Sequence, residues 1–345
     1  VRGVVEDPDS DGHPAALWKA AAEQGWLAVS VPEEYDGLGL GLVEAQVIAR
    51  ALGAGVAPGP WRGTVLAAEA IRLAGSEEQK AAWLPRLAAG DAVGAVALRG
   101  RAGGALPAVE YGAVADVVVA RVPGTATAAG SGAPGGGAVG SGAPGGGAVG
   151  SGAPTGTAAR PGPAGWALVT GATARAVGSY DGTVRLASLD GGAVEVLPGT
   201  VDLDARAAVL VSADLAGIAR EALTRTVAYD CDRRQFGVPV GSFQAIKHAL
   251  ADLHVAVTMA EHAALYSAHA VDVALEDADL AVAVAKAKCS DAAVAATAAM
   301  IQYHGGIGYT WEHEAHFFYK RAKRLAGIAG TADAHRARIA ELTIG

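Results

Sequence analysis

Two stretches in the second half of the chain decide the fold. They read YDCDRRQFGVPVGSFQAIKHALADLH, from Tyr229 to His254, and IQYHGGIGYTWEHEAHFFYKRAKR, from Ile301 to Arg324. In the first stretch, a helix carrying two arginines is predicted to end at Phe236-Gly237, because Pro239 prevents simple continuation. A second helix is predicted to start after Gly241, so the stretch joins two helices through a short turn.

The helix after this turn has the clearest periodicity in the sequence. Its apolar side chains recur at helical spacing, at Phe243, Ile246, Leu250, Leu253 and Val257. A stripe of this kind predicts a bundle helix with one face against a core.

Both stretches carry residues suited to holding a ligand. Arginine and glutamine at a helix end can grip a diphosphate, because guanidinium is a planar group with several donors. From composition alone, Arg233 and Arg234 also fit a solvated, charged helix end. The adjacent Gly305 and Gly306 let a backbone approach a ligand closely. The HEAH run at 313–316 lacks the HExxH spacing that places two histidines on one helix face, so no metal site is predicted.

The rest of the chain predicts three regions of different character. Residues 1–95 are predicted to form a helical domain, residues 96–200 a small β domain, and residues 201–345 a helical bundle. AVADVVVARV and GTVRLASL have the alternating or β-branched pattern of strands. A decapeptide, GSGAPGGGAV, repeats within residues 130–154 and predicts a flexible, uncharged loop.

Charge and composition exclude several classes of protein. The 345-residue chain has a formal net charge of −8, which argues against a nucleic-acid binder. The basic run of Lys320, Arg321, Lys323 and Arg324 is predicted to be a solvated helix face. The sequence has neither a long apolar run typical of a membrane span nor an apolar signal-peptide core at its acidic start, so a cytoplasmic protein is expected.

Together, these stretches resemble the acyl-CoA dehydrogenase family. RRQFGVPVGSFQAIKHALAD resembles the family's R-x-F-G…F-Q…L-A-D block, and IQYHGGIGYTWEH resembles its Q-x-x-G-G-x-G-Y block. GWLAVSVPEEYDGLGLG is similar to its N-terminal pattern, and the sequence begins about where the family's third helix does. The resemblance covers most of the chain. It implies a mainly α fold with a small β domain: an N-terminal helical domain, a middle β-barrel and a C-terminal four-helix bundle.

The resemblance also implies a cofactor and a set of site residues. Family members bind FAD, remove a proton α to a CoA thioester and pass the β-hydride to the flavin. By matching positions, the residues implied to contact FAD, partly across a subunit interface, are Arg233, Gln235, Phe236, Gln244, Gln302, His304, Gly305, Gly306 and Thr331. Arg206 matches an arginine near the acyl-CoA site. Thr331 is also predicted to cap the last helix through its hydroxyl.

The sequence departs from the family at the catalytic base. The family places a glutamate at one of two positions, which here are Ala329 and Ala205. Asp204 is the nearest alternative carboxylate, but a helical offset turns it by about 100° from Ala205. The β region also lacks the family's T-E-P…G-S-D and W-I-T segments, which cover the flavin ring.

Three functions remain open at this point. The first is one subunit of an FAD-dependent acyl-CoA dehydrogenase, with a related subunit supplying the base in a heterotetramer. The second is a self-sufficient flavoenzyme of the same fold, a dehydrogenase or monooxygenase, working as a homo-oligomer. The third is a non-catalytic acyl-CoA-binding or scaffold subunit. The resemblance implies an acyl-CoA substrate and an electron-transferring flavoprotein as acceptor, and neither a nucleic-acid nor a membrane partner is expected.

Overall fold

The computed structural model describes residues 12–122 and 165–344, together with Gly3 and Val5; the glycine-rich repeat at 130–154 lies outside these residues. Within residues 12–122, four α-helices precede the sheets: α1 (Ala15–Glu23), α2 (Leu42–Ala54), α3 (Trp61–Ala74) and α4 (Glu77–Ala89). The strands that follow are β1 (Gly94–Ala97), β2 (Leu106–Glu110), β3 (Val117–Arg121), β4 (Trp166–Thr170), β5 (Thr173–Val177), β6 (Leu186–Asp190) and β7 (Ala193–Val196). The last part contains α5 (Leu203–Asp232), β8 (Arg234–Gln235), β9 (Val238–Pro239), α6 (Gln244–Asp272), α7 (Ala278–Tyr303), α8 (Ala315–Ala326) and α9 (Ala332–Thr343).

Seven of these strands form two sheets. One sheet has the order β1-β3-β4-β7 and the other the order β2-β6-β5. Only the β1–β3 pair is parallel among the described strands of these two sheets, with Gly94 opposite Val117. Side chains from both sheets, including Val118, Leu106 and Leu189, share one small hydrophobic core.

The helix α5 connects the two larger cores. It has 30 residues, which corresponds to about 45 Å of helix. Its first half packs with α2, α3, α4 and the larger sheet, whereas its second half packs with α6, α7 and α8. A helix that is apolar on most of its circumference must be central, and α5 is buried for this reason.

The N-terminal helices dock on α5 through two glycines. A Cβ atom added at Gly53 of α2 would overlap the carbonyl oxygen of Asp214, and one added at Gly217 of α5 would overlap that of Arg50. The absence of a side chain at both positions lets the two helix backbones touch. This contact fixes α2 against the bundle and so determines where α3 begins.

The predicted fold class, mainly helical with a small β domain, is confirmed. The stripe on α6 is buried at Leu250 and Val257 and half-buried at Ile246 and Leu253, but Phe243 lies before the helix and is exposed. No helix within the described ranges is both long and apolar enough to cross a membrane.

Candidate functional site

Two segments far apart in the sequence meet in an open groove at one end of the bundle. The groove has a volume of about 670 Å³. Its lining residues are Tyr229, Arg233, Gln235, Val240, Ile246, Gln302, Tyr303, His304, Gly305, Gly306 and Ile307. The structure therefore brings together six of the nine residues that the sequence implied to contact a cofactor.

One wall of the groove is a short hairpin, residues 233–243, called the groove hairpin below. The sequence predicted that α5 continues to Phe236; this was wrong, because α5 ends at Asp232 and Arg233 is already extended. Phe236 (φ 53°) and Gly237 (φ 81°) then form a left-handed turn. The amide of Val240 donates to the carbonyl of Arg233 at 2.8 Å, which closes the hairpin.

The other wall is the end of α7. The helix stops at Tyr303, and Gly305 has a φ of 63°, a conformation that favours glycine. Apart from the adjacent residues, no heavy atom of the described structure lies within 4 Å of a Cβ position built at Gly305 or at Gly306. The backbone at both residues is therefore open to a ligand in the groove.

His304 is held in one orientation between the two walls. Its Nδ1 donates to the carbonyl oxygen of Met300 at 2.7 Å, and its ring stacks on Tyr229 with the ring centroids 4.3 Å apart. Burial lowers the pKa of His304, so the ring is neutral at physiological pH. Because Nδ1 carries the proton, Nε2 is an acceptor.

The other three implied cofactor residues lie outside the groove lining. Phe236 projects from the hairpin turn and is 93 % exposed. Gln244 is the first, exposed residue of α6. Thr331 is the N-cap of α9, where its hydroxyl accepts from the amide of Ala334 at 3.2 Å, so the predicted cap is confirmed.

The two alanines at the expected base positions pack against one hydrophobic cluster. Ala205, in the first turn of α5, and Ala329, in the loop after α8, are both half-buried against the core of the N-terminal helices. Ala329 has a φ of 54°, and its carbonyl accepts from Nε2 of His335 at 2.8 Å. Lys286 donates to the next carbonyl, that of Gly330, at 2.8 Å. The loop is thus held from α7 and from α9.

Asp204, the alternative carboxylate, is tied to the β domain. It forms an ion pair with Arg121, whose guanidinium lies over the Trp166 ring at 4.6 Å from the centroid. The Asp204 side chain is 40 % exposed. The Asp204 carboxylate is therefore oriented by Arg121 on β3.

Arg206, the implied substrate residue, has a partner that sequence reasoning missed. The arginine donates to Glu69 on α3, a fully buried residue that also accepts from Arg72 at 2.9 Å. The helical pattern of this part of the sequence gave no sign that Glu69 would be buried and paired with arginines. The structure thus gives Arg206 a buried acidic partner that is also shared with Arg72.

A second buried ionic cluster was also missed. Its members are Arg62, Glu110, Asp181, Asp214, Arg321 and Arg324. The prediction that the basic run at 320–324 is solvated was wrong for Arg321 and Arg324, which are 6 % and 8 % exposed. Burial raises the pKa of Glu110, but the charges of Arg324 and Arg62 outweigh it and lower that pKa to about 2.

The ionic cluster forms the floor of a small cavity. Its walls include Trp18, Trp26 and Trp61, and its volume is about 40 Å³. A volume of this size holds one or a few water molecules, since one water needs roughly 10–15 Å³. Of these two sites in the described structure, the groove is the larger.

Comparison with known proteins agrees with this geometry. The model of the acyl-CoA dehydrogenase N-terminal domain matches residues 1–91, and the model of the C-terminal domain matches residues 205–343. The acyl-CoA dehydrogenase IpdE2 of Mycobacterium tuberculosis is 34 % identical over 92 % of this chain and 83 % of its own length. The chain belongs to the acyl-CoA dehydrogenase family. Members of this family are oxidoreductases acting on CH–CH bonds.

Solved structures share the same fold with this acyl-CoA dehydrogenase. The ChsE4–ChsE5 complex from Mycobacterium tuberculosis has a TM-score of 0.79 and 25 % identity, over 99 % of this chain and 90 % of that one. A glutaryl-CoA dehydrogenase from Mycobacterium smegmatis in complex with FADH2 has a TM-score of 0.77 and 21 % identity, over 99 % and 89 %.

Proposed function

We propose that this chain is one subunit of an FAD-dependent acyl-CoA dehydrogenase whose catalytic base comes from a related partner subunit. One observation carries the proposal: six of the nine residues implied to hold FAD line one groove, while both base positions are alanine. A groove suited to the cofactor, without a base beside it, fits a subunit that contributes to a shared active site.

The groove residues fit the diphosphate part of FAD. Arg233 offers a planar set of charged donors, Gln235 and Gln302 offer amide groups, and Gly305 and Gly306 leave their backbone uncovered. His304 offers Nε2 as an acceptor beside them. These residues would hold FAD, and the flavin, when bound, supplies the acceptor for a hydride.

Proton removal needs a group that this chain does not place at positions 205 and 329. A positioned general base contributes about 10²–10⁴-fold to such a step. Glu69 is shared between Arg206 and Arg72, and Asp204 is paired with Arg121. Because both carboxylates are held by arginines in the described structure, a base from a second subunit is the simpler source.

The surroundings of the groove favour a protein partner. Phe236 is 93 % exposed, Tyr309 89 % and Trp311 54 %. Large aromatic side chains of this kind are enriched in the buried centre of protein interfaces. ChsE4–ChsE5, a complex of two named proteins, gives a precedent for a two-protein assembly of this fold.

The substrate of the assembly is a CoA thioester, and its electron acceptor is an electron-transferring flavoprotein, in a cytoplasmic complex. One structural relative, Tcur3481–Tcur3483, is a steroid acyl-CoA dehydrogenase, and this supports a bulky acyl group in the substrate. In this proposal Arg206 lies near the CoA thioester while its guanidinium stays paired with Glu69.

The test is an absorbance spectrum with size analysis. The chain is expressed alone and together with an acyl-CoA dehydrogenase homologue encoded beside its gene. Flavin and dehydrogenation that appear only in the co-expressed complex support the proposal. Flavin and activity in the chain alone contradict it and favour the self-sufficient enzyme, whereas a colourless complex without activity favours the scaffold function.

A further inference from the structure

Asp230 is a buried carboxylate in the last turn of α5, directly before the groove hairpin. The residue is 1 % exposed. Neither of its carboxylate oxygens has a hydrogen-bond partner within the part of the chain that the structure describes. A buried ionised group without a partner is costly, so burial raises the pKa of Asp230 to about 6.

The end of the groove hairpin packs against Asp230. A Cβ atom added at Gly241 would lie 3.0 Å from the carbonyl oxygen of Asp230 and 3.4 Å from its Cβ. The turn Val240–Ser242 therefore lies against the backbone and Cβ of Asp230, and the missing side chain at Gly241 allows this close approach. Because the turn packs on Cβ, moving it away would open the side chain of Asp230 to water.

No charge compensates Asp230 from the elements packed against it. At this end of the packed elements, the ionisable residues include Asp232 and Arg233 on α5, Lys247 and His248 on α6, and His304 at the end of α7, with none in the turn Val240–Ser242. In the described structure none of these forms a hydrogen bond with the Asp230 carboxylate. Thr226, one turn earlier, gives its hydroxyl to the carbonyl of Ala222 at 2.7 Å instead.

The groove hairpin itself is weakly held. Its strands β8 and β9 have two residues each. Phe236 occupies the left-handed region, which is strained for a bulky side chain; it is 93 % exposed and packs edge-on against Phe243 with the ring centroids 6.3 Å apart. A short hairpin of this kind is marginal in water, so a modest change in free energy decides whether it is closed.

We propose that Asp230 makes closure of the groove hairpin depend on pH, with the closed form favoured when Asp230 is protonated. The direction of this pH dependence follows from the linkage between proton binding and hairpin closure. The carboxyl binds its proton more tightly when the hairpin covers it than when water reaches it, so lowering the pH favours the closed form. Arg233, Gln235 and Val240 line the groove. The groove wall that the hairpin forms is therefore most stable in mild acid.

Hydrogen exchange of the full chain tests the inference. The exchange of the Val240 amide, which closes the hairpin, is compared at about pH 5 and about pH 7.5 after division by intrinsic rates, and its protection should fall about tenfold as the pH rises. Asp230→Asn should remove this pH dependence. Asp232→Asn, two residues away and exposed, should keep it.

The inference concerns the hairpin alone, so its failure and that of the FAD proposal are separate results. Equal corrected protection at both pH values in the native chain would overturn it. Retention of the pH dependence in Asp230→Asn, or its loss in Asp232→Asn, would also overturn it. If Asp230→Asn does not fold, Asp230→Ala, which removes the buried polar group altogether, takes its place with the same expected result.

Discussion

The ammonium group of Lys286 donates to the carbonyl oxygen of Gly330 at 2.8 Å, one residue after the alanine at an expected base position. It also donates to the carbonyl of Ala326 at 3.1 Å and to Oγ of Ser290 at 3.0 Å. All three acceptors are neutral. Lys286 is fully buried, and burial lowers its pKa to about 8.

This relationship predicts a pH dependence of stability. The folded pKa of Lys286 is below its unfolded value, so the buried charge destabilises the protein below about pH 8 and the penalty is relieved as the pH rises. Between about pH 7.5 and about pH 9.5, the native chain should gain about 2 kcal/mol of unfolding free energy relative to Lys286→Met. Urea unfolding at both pH values measures this.

The exposed neighbour Lys288 is the matched control for that experiment. Lys288→Met should follow the native chain at both pH values, because Lys288 lies at the surface of the same helix. The buried Cys289 thiol, whose pKa burial raises to about 12, stays protonated in the folded protein across this pH range and so does not produce the expected difference. A difference between native and Lys286→Met that does not change with pH contradicts the prediction.

The buried ionic cluster predicts a large effect from one carboxylate. Glu110 accepts from Arg62 at 2.5 Å and from Arg324, so Glu110→Gln leaves buried arginines partly uncompensated. It should lower the unfolding free energy by about 3–5 kcal/mol at neutral pH. Because the folded pKa of Glu110 is lowered to about 2, the native chain should lose this contribution as the pH falls from about 4.5 towards 2, and the variant should not.

An exposed ion pair offers the comparison. Glu341 accepts from Arg338 at 3.1 Å at the surface of α9, and Glu341→Gln should leave the urea midpoint nearly unchanged. Similar losses in Glu110→Gln and Glu341→Gln would show that the cluster is less important for stability than its burial indicates.

The sequence identified residues on both groove walls as candidates to hold a ligand, but it did not predict the ionic clusters. The glycines at 305 and 306 and the arginine at 233 are local signals that a short motif carries. Arg321 and Arg324 were placed on the surface because charge runs usually are. Their partners Glu110, Asp181 and Asp214 come from three distant segments. The sequence did carry one signal for their burial, which the prediction did not use. Arg321 and Arg324 lie at helical spacing from Phe317 and Phe318, on the buried face of α8.

The helix end before the groove was missed for a related reason. Propensity did not distinguish an α5 that ends at Asp232 from one that continues to Phe236. The difference comes from pairing of two-residue strands and from the left-handed turn at Phe236, which is an unfavourable conformation for phenylalanine that sequence rules disfavour. The turn also packs against Asp230, and helix propensity does not include a tertiary contact of this kind.

The two arginines of the groove hairpin should differ in their effect on cofactor retention. Arg233 lines the groove, whereas Arg234 lies outside its lining with its guanidinium 3.5 Å from the carbonyl of Gly237. Arg233→Ala should lower the flavin-to-protein ratio of the purified complex by about tenfold, since charged hydrogen bonds contribute about 1.5–3 kcal/mol. Arg234→Ala should retain flavin. Equal flavin content in both variants counts against a diphosphate grip by Arg233.

Restoring a carboxylate at position 329 should restore proton removal. Ala329 lies in a loop that Lys286 and His335 hold from two sides, and its side chain packs against the same cluster as Ala205. In the flavin-containing protein, Ala329→Glu should increase α-proton exchange of a straight-chain acyl-CoA in D2O by about 10²–10⁴-fold, as a positioned base does. Mass spectrometry of the recovered thioester measures this. If Ala329→Glu gives no exchange, Ala205→Glu tests the second position, and silence of both variants at unchanged flavin content would mean that neither alanine occupies the place of the base.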